Sequence, residues 1–157
     1  MPYWLMKSEP DEVGIDDLER LRRVPWFGVR NFQARNFMRD LMRPGDEALF
    51  YHSGCALLGI AGVCQVAGAP VPDETQFDPK SPYFDAKSSR DNPRWVCVEV
   101  EFVRKTRFIS LAQLRAHPEL AGMQVLSRGN RLSIMPVSEA HWRFITEKLM
   151  GRPAQGG

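Results

Sequence analysis

The sequence has 157 residues, of which 43% are hydrophobic, and this suffices for one domain with a buried core but not for two. It contains no apolar run of about 18 residues that would span a membrane, and its start lacks the pattern of a secretion signal, so we expect a cytoplasmic protein. Three cysteines without a CxxC pair argue against disulfides and a zinc site, and a formal net charge of +2 alone does not indicate a nucleic-acid partner.

Apolar periodicity and turn-forming residues predict a chain that alternates between strands and short helices. Strands are predicted at 3–7, 47–53, 57–66 and 95–106, with short ones at 124–126 and 132–135, and 57–66 is expected to pair antiparallel with 47–53. Helices are predicted to be capped by Asp16, Asn31, Ser110 and Ser138. The proline-rich segment 68–94, here called the flap, is predicted to be a long ordered loop. Residues 1–150 are expected to form one domain and 151–157 a disordered tail.

The most informative stretch is residues 26–43, WFGVRNFQARNFMRDLMR, in which an aromatic loop leads into an amphipathic helix. Its apolar side chains share one arc, and a stripe beside that arc consists of Arg35, Arg39 and Arg43. An indole, several guanidinium groups and an amide side chain suit a nucleobase attached to phosphate. The same pattern is also typical of an ordinary surface helix that follows a core tryptophan, and both interpretations stay open.

Charge is segregated along the chain despite the small net value. Six acids and no base lie between Glu9 and Glu19, whereas seven arginines and one acid lie between Arg20 and Arg43. A second basic segment begins at Arg104. If the two basic segments meet in space, they form a positive face that attracts phosphate; the alternative is two separate solvated faces.

Six segments, taken in order, resemble one family. They are YWLMKSEP, WFGVRNFQARNFMR, GDEALFYHS, FDPKSPYFD, WVCVEVEF and RLSIMPVSEAHW, and together they are similar to the EVE domain of the PUA-like superfamily, which is related to the ASCH and YTH domains. The resemblance spans residues 3 to about 149. It implies an α+β fold, namely a PUA-like mixed, curved β-barrel with short helices packed around it. It also implies a pocket for a nucleobase, often a modified one, and no known catalytic step.

The resemblance and the residue types together predict the members of this pocket. The nucleobase is expected to contact Trp26, Val29, Asn31, Tyr51, His52, Ser53, Leu132 and Ser133. Phosphate or another anion is expected to contact Lys7, Ser8, Arg30, Arg35 and Arg131. The flap is expected to contribute Lys80, Tyr83 and Asp85. Phe32 and Phe77 stand where the family is expected to have tyrosine, so a contact through a phenolic hydroxyl is not implied at either position.

The chemistry of a base explains these residue types. A base has two flat faces and a polar edge, so Trp26 is expected to hold a face while Asn31 and the two residues 52–53 read the edge. Stacking contributes about 1–3 kcal/mol per base and tolerates any sequence, so discrimination must come from edge contacts. Because cations contact phosphate, binding is expected to weaken as salt increases.

These observations predict a non-enzymatic module that binds a single-stranded or flipped base in RNA or DNA. No catalytic residue, metal, cofactor or membrane partner is expected, and the protein is expected to be a monomer. Ser53 and His52 are adjacent on a strand and point to opposite faces, which argues against a catalytic pair. Two alternatives stay open, a glycosylase- or hydrolase-type enzyme that uses Asp78 or Asp85, and a protein interaction module that uses the basic face.

Overall fold

The computed structural model describes residues 2–151, which are organised around a six-stranded mixed sheet. The strands are β1 (Tyr3–Ser8), β2 (Arg23–Pro25), β3 (Glu47–His52), β4 (Gly59–Val66), β5 (Val71–Pro72), β6 (Val96–Cys97), β7 (Glu99–Ser110) and β8 (Ile134–Val137). The large sheet has the order β2-β7-β4-β3-β1-β8, and β5 pairs with β6 separately. β1 and β3 run parallel, so their carboxyl ends lie side by side.

Short helices connect the strands. They are α1 (Ile15–Leu21), α2 (Phe32–Asn36), α3 (Leu111–Arg115) and α4 (Glu139–Phe144). α2 and α4 continue as π-helical turns, and single turns of 3-10 helix lie at Glu74–Phe77, Pro118–Leu120 and Gln124–Leu126. Within residues 2–151, every helix is too short or too polar to cross a membrane. The predicted tail at 151–157 lies outside the described residues except for Gly151.

Local capping chemistry sets where the helices begin. The predicted cap Asn31 is confirmed, because its side-chain oxygen accepts the N–H of the third helical residue at 3.0 Å. Ser110 and Ser138 cap α3 and α4 in the same way. The prediction that Asp16 caps α1 was wrong: the cap is Gly14, whose N–H donates to a carboxylate one turn into the helix at 2.8 Å.

The strand predictions are largely confirmed. β3 and β4 pair antiparallel as predicted, with an irregularity in register between Phe50 and Tyr51. The predicted short strand at 124–126 is instead a 3-10 turn, because it packs against the β8 side of the sheet without joining it. At Gly59 a Cβ would lie 2.3 Å from the carbonyl oxygen of Ile109, so β4 approaches β7 too closely there for any side chain.

The α+β class and the mixed sheet are confirmed, but the expectation of a barrel is wrong because the sheet is not closed. β2 and β8 stand at opposite ends of the strand order, and within residues 2–151 no ladder joins them. β2 pairs with β7 alone over Arg23–Pro25, and β8 pairs with β1 alone over Ile134–Val137. Strands this short present few backbone groups for closing the sheet.

The sheet carries a hydrophobic core on each face. One core contains Trp4, Trp26 and Phe50, and the other contains Tyr51 and Trp142. Because successive side chains of a strand point to opposite faces, neighbouring residues of β3 belong to different cores. The site described below lies on the Trp26 side, at the end of β1 and β3.

Candidate functional site

A cavity of about 500 Å³ opens where the parallel strands β1 and β3 end. Residues from five separate stretches line it: the end of β1 and the following turn, the segment from β2 to α2, Ser53, the flap, and the segment before β8. Ten of the predicted site residues meet here, namely Lys7, Ser8, Trp26, Val29, Arg30, Asn31, Ser53, Tyr83, Arg131 and Ser133. The structure therefore brings these ten residues together, and their role in binding stays a prediction.

Trp26 is a largely buried wall of the cavity, with 6% of its surface exposed. Its ring meets the ring of Phe50 almost at a right angle, with centroids 5.6 Å apart, and this contact fixes the orientation of the indole. The indole N–H groups of Trp4 and Trp95 donate to carboxylates, whereas that of Trp26 has no acceptor among residues 2–151. Because every fully buried side-chain N or O atom in that range has a partner, the Trp26 N–H is open to solvent.

Two cations of the cavity, Lys7 and Arg131, form no ion pair within residues 2–151. The Lys7 ammonium donates one hydrogen bond, to the Asn130 carbonyl at 3.3 Å, and burial lowers the pKa of Lys7. Arg131 is exposed and makes neither a hydrogen bond nor an ion pair with any other residue in the described range. Both side chains can therefore contact a phosphate of a bound ligand.

Arg30 also lines the cavity, but its guanidinium is fully engaged by protein groups. It donates twice to the Tyr83 carbonyl, at 3.0 and 2.7 Å, and to the Asp73 carboxylate at 3.1 Å. The Val29 carbonyl and the Thr75 hydroxyl take the remaining N–H groups, at 2.9 and 3.0 Å. A guanidinium has five N–H donors, so none is left for a phosphate. Arg30 therefore holds the flap in position, and its guanidinium has no free N–H for the predicted phosphate contact.

Asp73 anchors the flap from a fully buried position. Its carboxylate pairs with Arg30 and accepts the backbone N–H groups of Gly28 at 2.7 Å and Thr75 at 2.9 Å. Gly28 has a φ of +84°, and a Cβ there would lie 2.8 Å from the ring of Tyr83. The loop before α2 therefore needs a glycine where it packs under the flap.

Tyr83 extends from the flap across the cavity. Its hydroxyl donates to the Glu12 carboxylate, and its ring makes an edge-on contact with Phe27, with centroids 5.8 Å apart. Burial, together with the Glu12 carboxylate, raises the pKa of Tyr83 to about 12, so the hydroxyl remains a donor at neutral pH. The flap and the turn after β1 are thus joined over the cavity.

Two predicted residues at the end of β3 are not on the cavity. Tyr51 points into the opposite core because it follows Phe50 on the strand. His52 is on the Phe50 side, but its Nε2 accepts the N–H of Ile15 at 3.1 Å at the start of α1. At these positions Tyr51 does not make the predicted contact with a base in the cavity. His52 likewise does not reach the edge of a base there.

Four other predicted residues also lie elsewhere: Arg35, Lys80, Asp85 and Leu132. Arg35 donates to the carbonyl of Arg94 at 2.9 Å and covers the ring of Phe32, outside the cavity. Asp85 accepts the indole N–H of Trp95 at 2.7 Å, which lowers the pKa of the carboxyl. Lys80 is exposed at the tip of the flap, and Leu132 packs against the core on the other face of the sheet.

The sequence analysis missed the acids of the cavity, Glu9 and Glu12. The turn that follows β1 folds back because the N–H groups of Glu12 and Val13 donate to the Glu9 carbonyl at 2.9 and 3.0 Å, and Ser8 donates to the Val13 carbonyl at 2.6 Å. The sequence feature that could have indicated them is the run of acids directly after the end of β1. Within residues 2–151, no three His, Cys, Asp or Glu side chains are grouped to hold a metal ion, so these acids are not part of such a group.

Some cations of the two basic segments are paired with acids. Arg23 of β2 lies 3.6 Å from the carboxylates of both Glu99 and Glu101, because β2 pairs with β7. Lys105, farther along β7, lies 2.7 Å from Asp16 of α1. Arg23 and Lys105 are therefore paired with neighbouring acids, whereas Lys7 and Arg131 of the cavity form no ion pair within residues 2–151.

The contact of His52 predicts a pH dependence of stability. Burial lowers the pKa of His52 from its ordinary value of 6.5, and a protonated Nε2 would lose the Ile15 hydrogen bond. Below pH 6.5 the unfolded chain therefore binds a proton that the folded protein does not, so the free energy of unfolding falls with falling pH, by at most about 1.4 kcal/mol per pH unit. Urea unfolding between pH 7.5 and 5 measures this slope.

The matched variants are His52→Gln, whose amide oxygen replaces the acceptor but does not titrate, and His141→Gln on α4. His52→Gln should flatten the fall in stability, whereas His141→Gln should preserve it. An unchanged profile in His52→Gln would show that other groups cause the acid sensitivity.

The model of one domain family matches almost all of the described chain. The EVE domain model matches residues 2–148. This chain belongs to the EVE domain family. This EVE domain is 44% identical over 162 residues to human thymocyte nuclear protein 1, covering 91% of this chain and 72% of that protein. It is 42% identical over 163 residues to the chicken protein of the same name, covering 91% of this chain and 66% of the relative.

Solved structures of relatives have the same fold as this EVE domain. A Pseudomonas syringae protein superposes with a TM-score of 0.89 at 44% identity, covering 92% of this chain and 97% of that chain. The human THYN1 protein, in complex with DNA that contains 5-methylcytosine, superposes with a TM-score of 0.88 at 40% identity. The match covers 97% of this chain and 99% of that chain. The expected PUA-like fold class is therefore confirmed.

The relatives also correct the expected location. The vertebrate relatives of this EVE domain are named thymocyte nuclear protein 1, which contradicts the expectation of a cytoplasmic protein. The features behind that expectation were the lack of long apolar stretches and of a secretion pattern, and neither feature distinguishes the cytoplasm from the nucleus.

Proposed function

We propose that this EVE domain is a non-enzymatic reader that binds a single nucleobase in the cavity beside Trp26, with 5-methylcytosine in DNA as the first candidate. The observation that carries the proposal is the combination, in one cavity, of a fixed indole with an open N–H and two uncommitted cations. The complex of the human THYN1 protein with DNA containing 5-methylcytosine supports the choice of ligand.

The groups of the cavity match the parts of a nucleotide. The indole of Trp26 holds the base. The cavity has a volume of about 500 Å³, which is in the range of small-molecule sites. The oxygen of Asn31 is used in capping α2, which leaves its NH₂ group as a donor to the base edge. The hydroxyls of Ser53 and Ser133 donate or accept, while Lys7 and Arg131 neutralise phosphate.

A binding role also agrees with the positions of the acids considered for catalysis. Neither Asp78 nor Asp85, the two flap acids of the glycosylase alternative, lines the cavity. Asp85 is instead held by the Trp95 indole and by Arg94 at 3.3 Å. We therefore expect that the bound base is released without chemical change.

Fluorescence polarisation tests the proposal. Labelled single-stranded DNA, duplex DNA and RNA of one sequence are compared with cytosine or 5-methylcytosine at one position, and the oligonucleotides are recovered for mass spectrometry. We expect tighter binding of a 5-methylcytosine DNA and recovery of every oligonucleotide intact. Equal affinity for both bases in all three polymers, or release of a free base, would contradict the proposal.

Replacing Arg131 by alanine is expected to weaken binding at low salt and to reduce the slope of log K against log salt by about 1, because one phosphate contact is lost. Arg128→Ala is the matched control, since Arg128 is exposed on the same loop but does not line the cavity. The measurement is polarisation at several salt concentrations. Equal slopes for the two variants would remove Arg131 from the phosphate site.

A further inference from the structure

The carboxylate of Glu12 is an unusual member of a cavity that is proposed to bind a nucleotide. A carboxylate repels phosphate, so the Glu12 side chain does not suit a contact with the nucleic-acid backbone. When ionised it accepts hydrogen bonds and cannot donate them. Its natural partner in a ligand is therefore an N–H group.

The direction of the Glu12 carboxylate is fixed by Tyr83. One of its oxygens, Oε1, accepts the Tyr83 hydroxyl, and no other group of residues 2–151 donates to the Glu12 side chain. The second oxygen is therefore free. Glu9 lacks such an anchor: its carboxylate lies against the backbone of Gly54, where a Cβ would come within 2.7 Å of it. Of the two acids, Glu12 is the one held in a defined position beside the ligand space.

Bases differ in what they present to a fixed acceptor. Cytosine and adenine carry an exocyclic amino group, which donates, whereas thymine carries a carbonyl oxygen at the corresponding ring position. 5-Methylcytosine and thymine have the same ring and the same methyl group, so stacking on Trp26 and the fit of the methyl group do not separate them. They differ at position 4, which is an amino group in 5-methylcytosine and a carbonyl in thymine, and at position 3, where thymine carries an N–H and 5-methylcytosine an acceptor nitrogen. An acceptor therefore favours 5-methylcytosine when it faces position 4.

We infer that Glu12 accepts a hydrogen bond from the exocyclic amino group of the bound base, so that the cavity selects amino bases of the cytosine and adenine type against thymine and uracil. This inference rests on the proposed function and names the class of base that the same cavity takes. Tyr83 acts as a positioning residue, because it holds one oxygen of the carboxylate and leaves the other for the ligand.

The Tyr83 contact makes the effect of an amide substitution specific. In Glu12→Gln the Tyr83 hydroxyl still needs an acceptor, and the amide oxygen takes that place. The NH₂ group then occupies the position of the free oxygen and presents a donor to the base. A donor suits the carbonyl of thymine and opposes the amino group of 5-methylcytosine. The preference should therefore reverse, which a loss of packing would not produce.

Competition binding with single-stranded oligonucleotides tests the inference, since a single strand removes the effect of a paired base. The oligonucleotides differ only in carrying 5-methylcytosine or thymine at one position. The wild-type protein is expected to prefer 5-methylcytosine roughly tenfold or more, as a site built around one hydrogen bond rejects a base with the opposite polarity. Glu12→Gln should bind thymine at least as well as 5-methylcytosine.

Asp11→Asn is the matched control, because it removes the same charge from an exposed residue in the same turn that does not line the cavity. It should keep the wild-type ratio while raising both affinities. Tyr83→Phe keeps the carboxylate and loses its anchor, so it should keep a weaker preference for 5-methylcytosine, and it remains informative if Glu12→Gln does not fold. Thermal unfolding of each variant confirms folding.

The outcomes separate this inference from the proposed function. Equal binding of thymine and 5-methylcytosine that still depends on Trp26 would overturn the inference alone. A wild-type ratio in Glu12→Gln would overturn it as well, by showing that another group reads the amino position. Absence of any Trp26-dependent binding to either oligonucleotide would overturn both the inference and the proposed function.

Discussion

Replacing Trp26 by alanine is expected to weaken the binding of an oligonucleotide that contains 5-methylcytosine by roughly 5- to 150-fold. The reason is that stacking on an aromatic side chain contributes about 1–3 kcal/mol per base, and the cavity contains no second indole to replace it. Fluorescence polarisation with a labelled oligonucleotide measures the change. Trp26→Phe keeps a ring next to Phe50 and should retain part of the affinity.

The matched control for this variant is Trp142→Ala. Trp142 has the same exposure of 6% but lies in the core on the opposite face of the sheet, stacked on Tyr3. Both alanine variants should lose stability, by about 3–5 kcal/mol, because each removes a large buried side chain. Only Trp26→Ala should lose affinity under conditions where both are folded. An equal loss of affinity in both would assign the effect to the fold and not to stacking.

Asp73→Ala is expected to lower the free energy of unfolding by about 3–5 kcal/mol, the usual cost of removing one partner of a buried ion pair. The Asp73 side chain is fully buried, while that of Arg30 is 21% exposed. Without the carboxylate, Arg30 and the N–H groups of Gly28 and Thr75 lose their acceptor together. Urea unfolding measures the loss, and faster amide exchange should be concentrated in residues 73–85 and in the loop before α2.

Asp78→Ala is the control for Asp73→Ala. Asp78 is an exposed acid of the same flap, and within residues 2–151 its carboxylate accepts only the N–H of Lys80, at 2.9 Å. Its loss should cost no more than about 1 kcal/mol, because only a local capping bond disappears. Similar costs for the two variants would show that the buried pair does not anchor the flap.

The parts of the fold that follow from local chemistry were predictable from the sequence. Asn31 caps α2 because its side chain reaches an N–H three residues ahead, and this requires no knowledge of the rest of the chain. The face on which a residue of β3 lies was not predictable in the same way. Leu49, Phe50 and Tyr51 are all buried, so the strand shows no alternation of polar and apolar residues that marks the face with the cavity.

Ten of the predicted site residues line one cavity, but their roles could not be predicted from the sequence, because partners distant in sequence decide what a charged group contacts. Arg30 has the composition of a phosphate ligand, yet its acceptors lie 43 and 53 residues away in the flap. Glu12 was part of an acidic run with no assigned role, and its partner Tyr83 is 71 residues away. The spacing of residues along the sequence does not indicate which distant side chains will pair.

The open sheet has a consequence for how the protein behaves at high concentration. Each edge strand contains a proline, Pro25 in β2 and Pro136 in β8. The N–H of Trp26 donates to the carbonyl of Val98, directly before β7, and the N–H of Lys7 in β1 donates to the carbonyl of Ser133. Because the backbone groups of successive strand residues point in alternate directions, Pro25 and Pro136 face away from the sheet. A proline there has no N–H to offer an incoming strand. Both edges are thereby protected against edge-to-edge aggregation, a protection that other sheets obtain by closing.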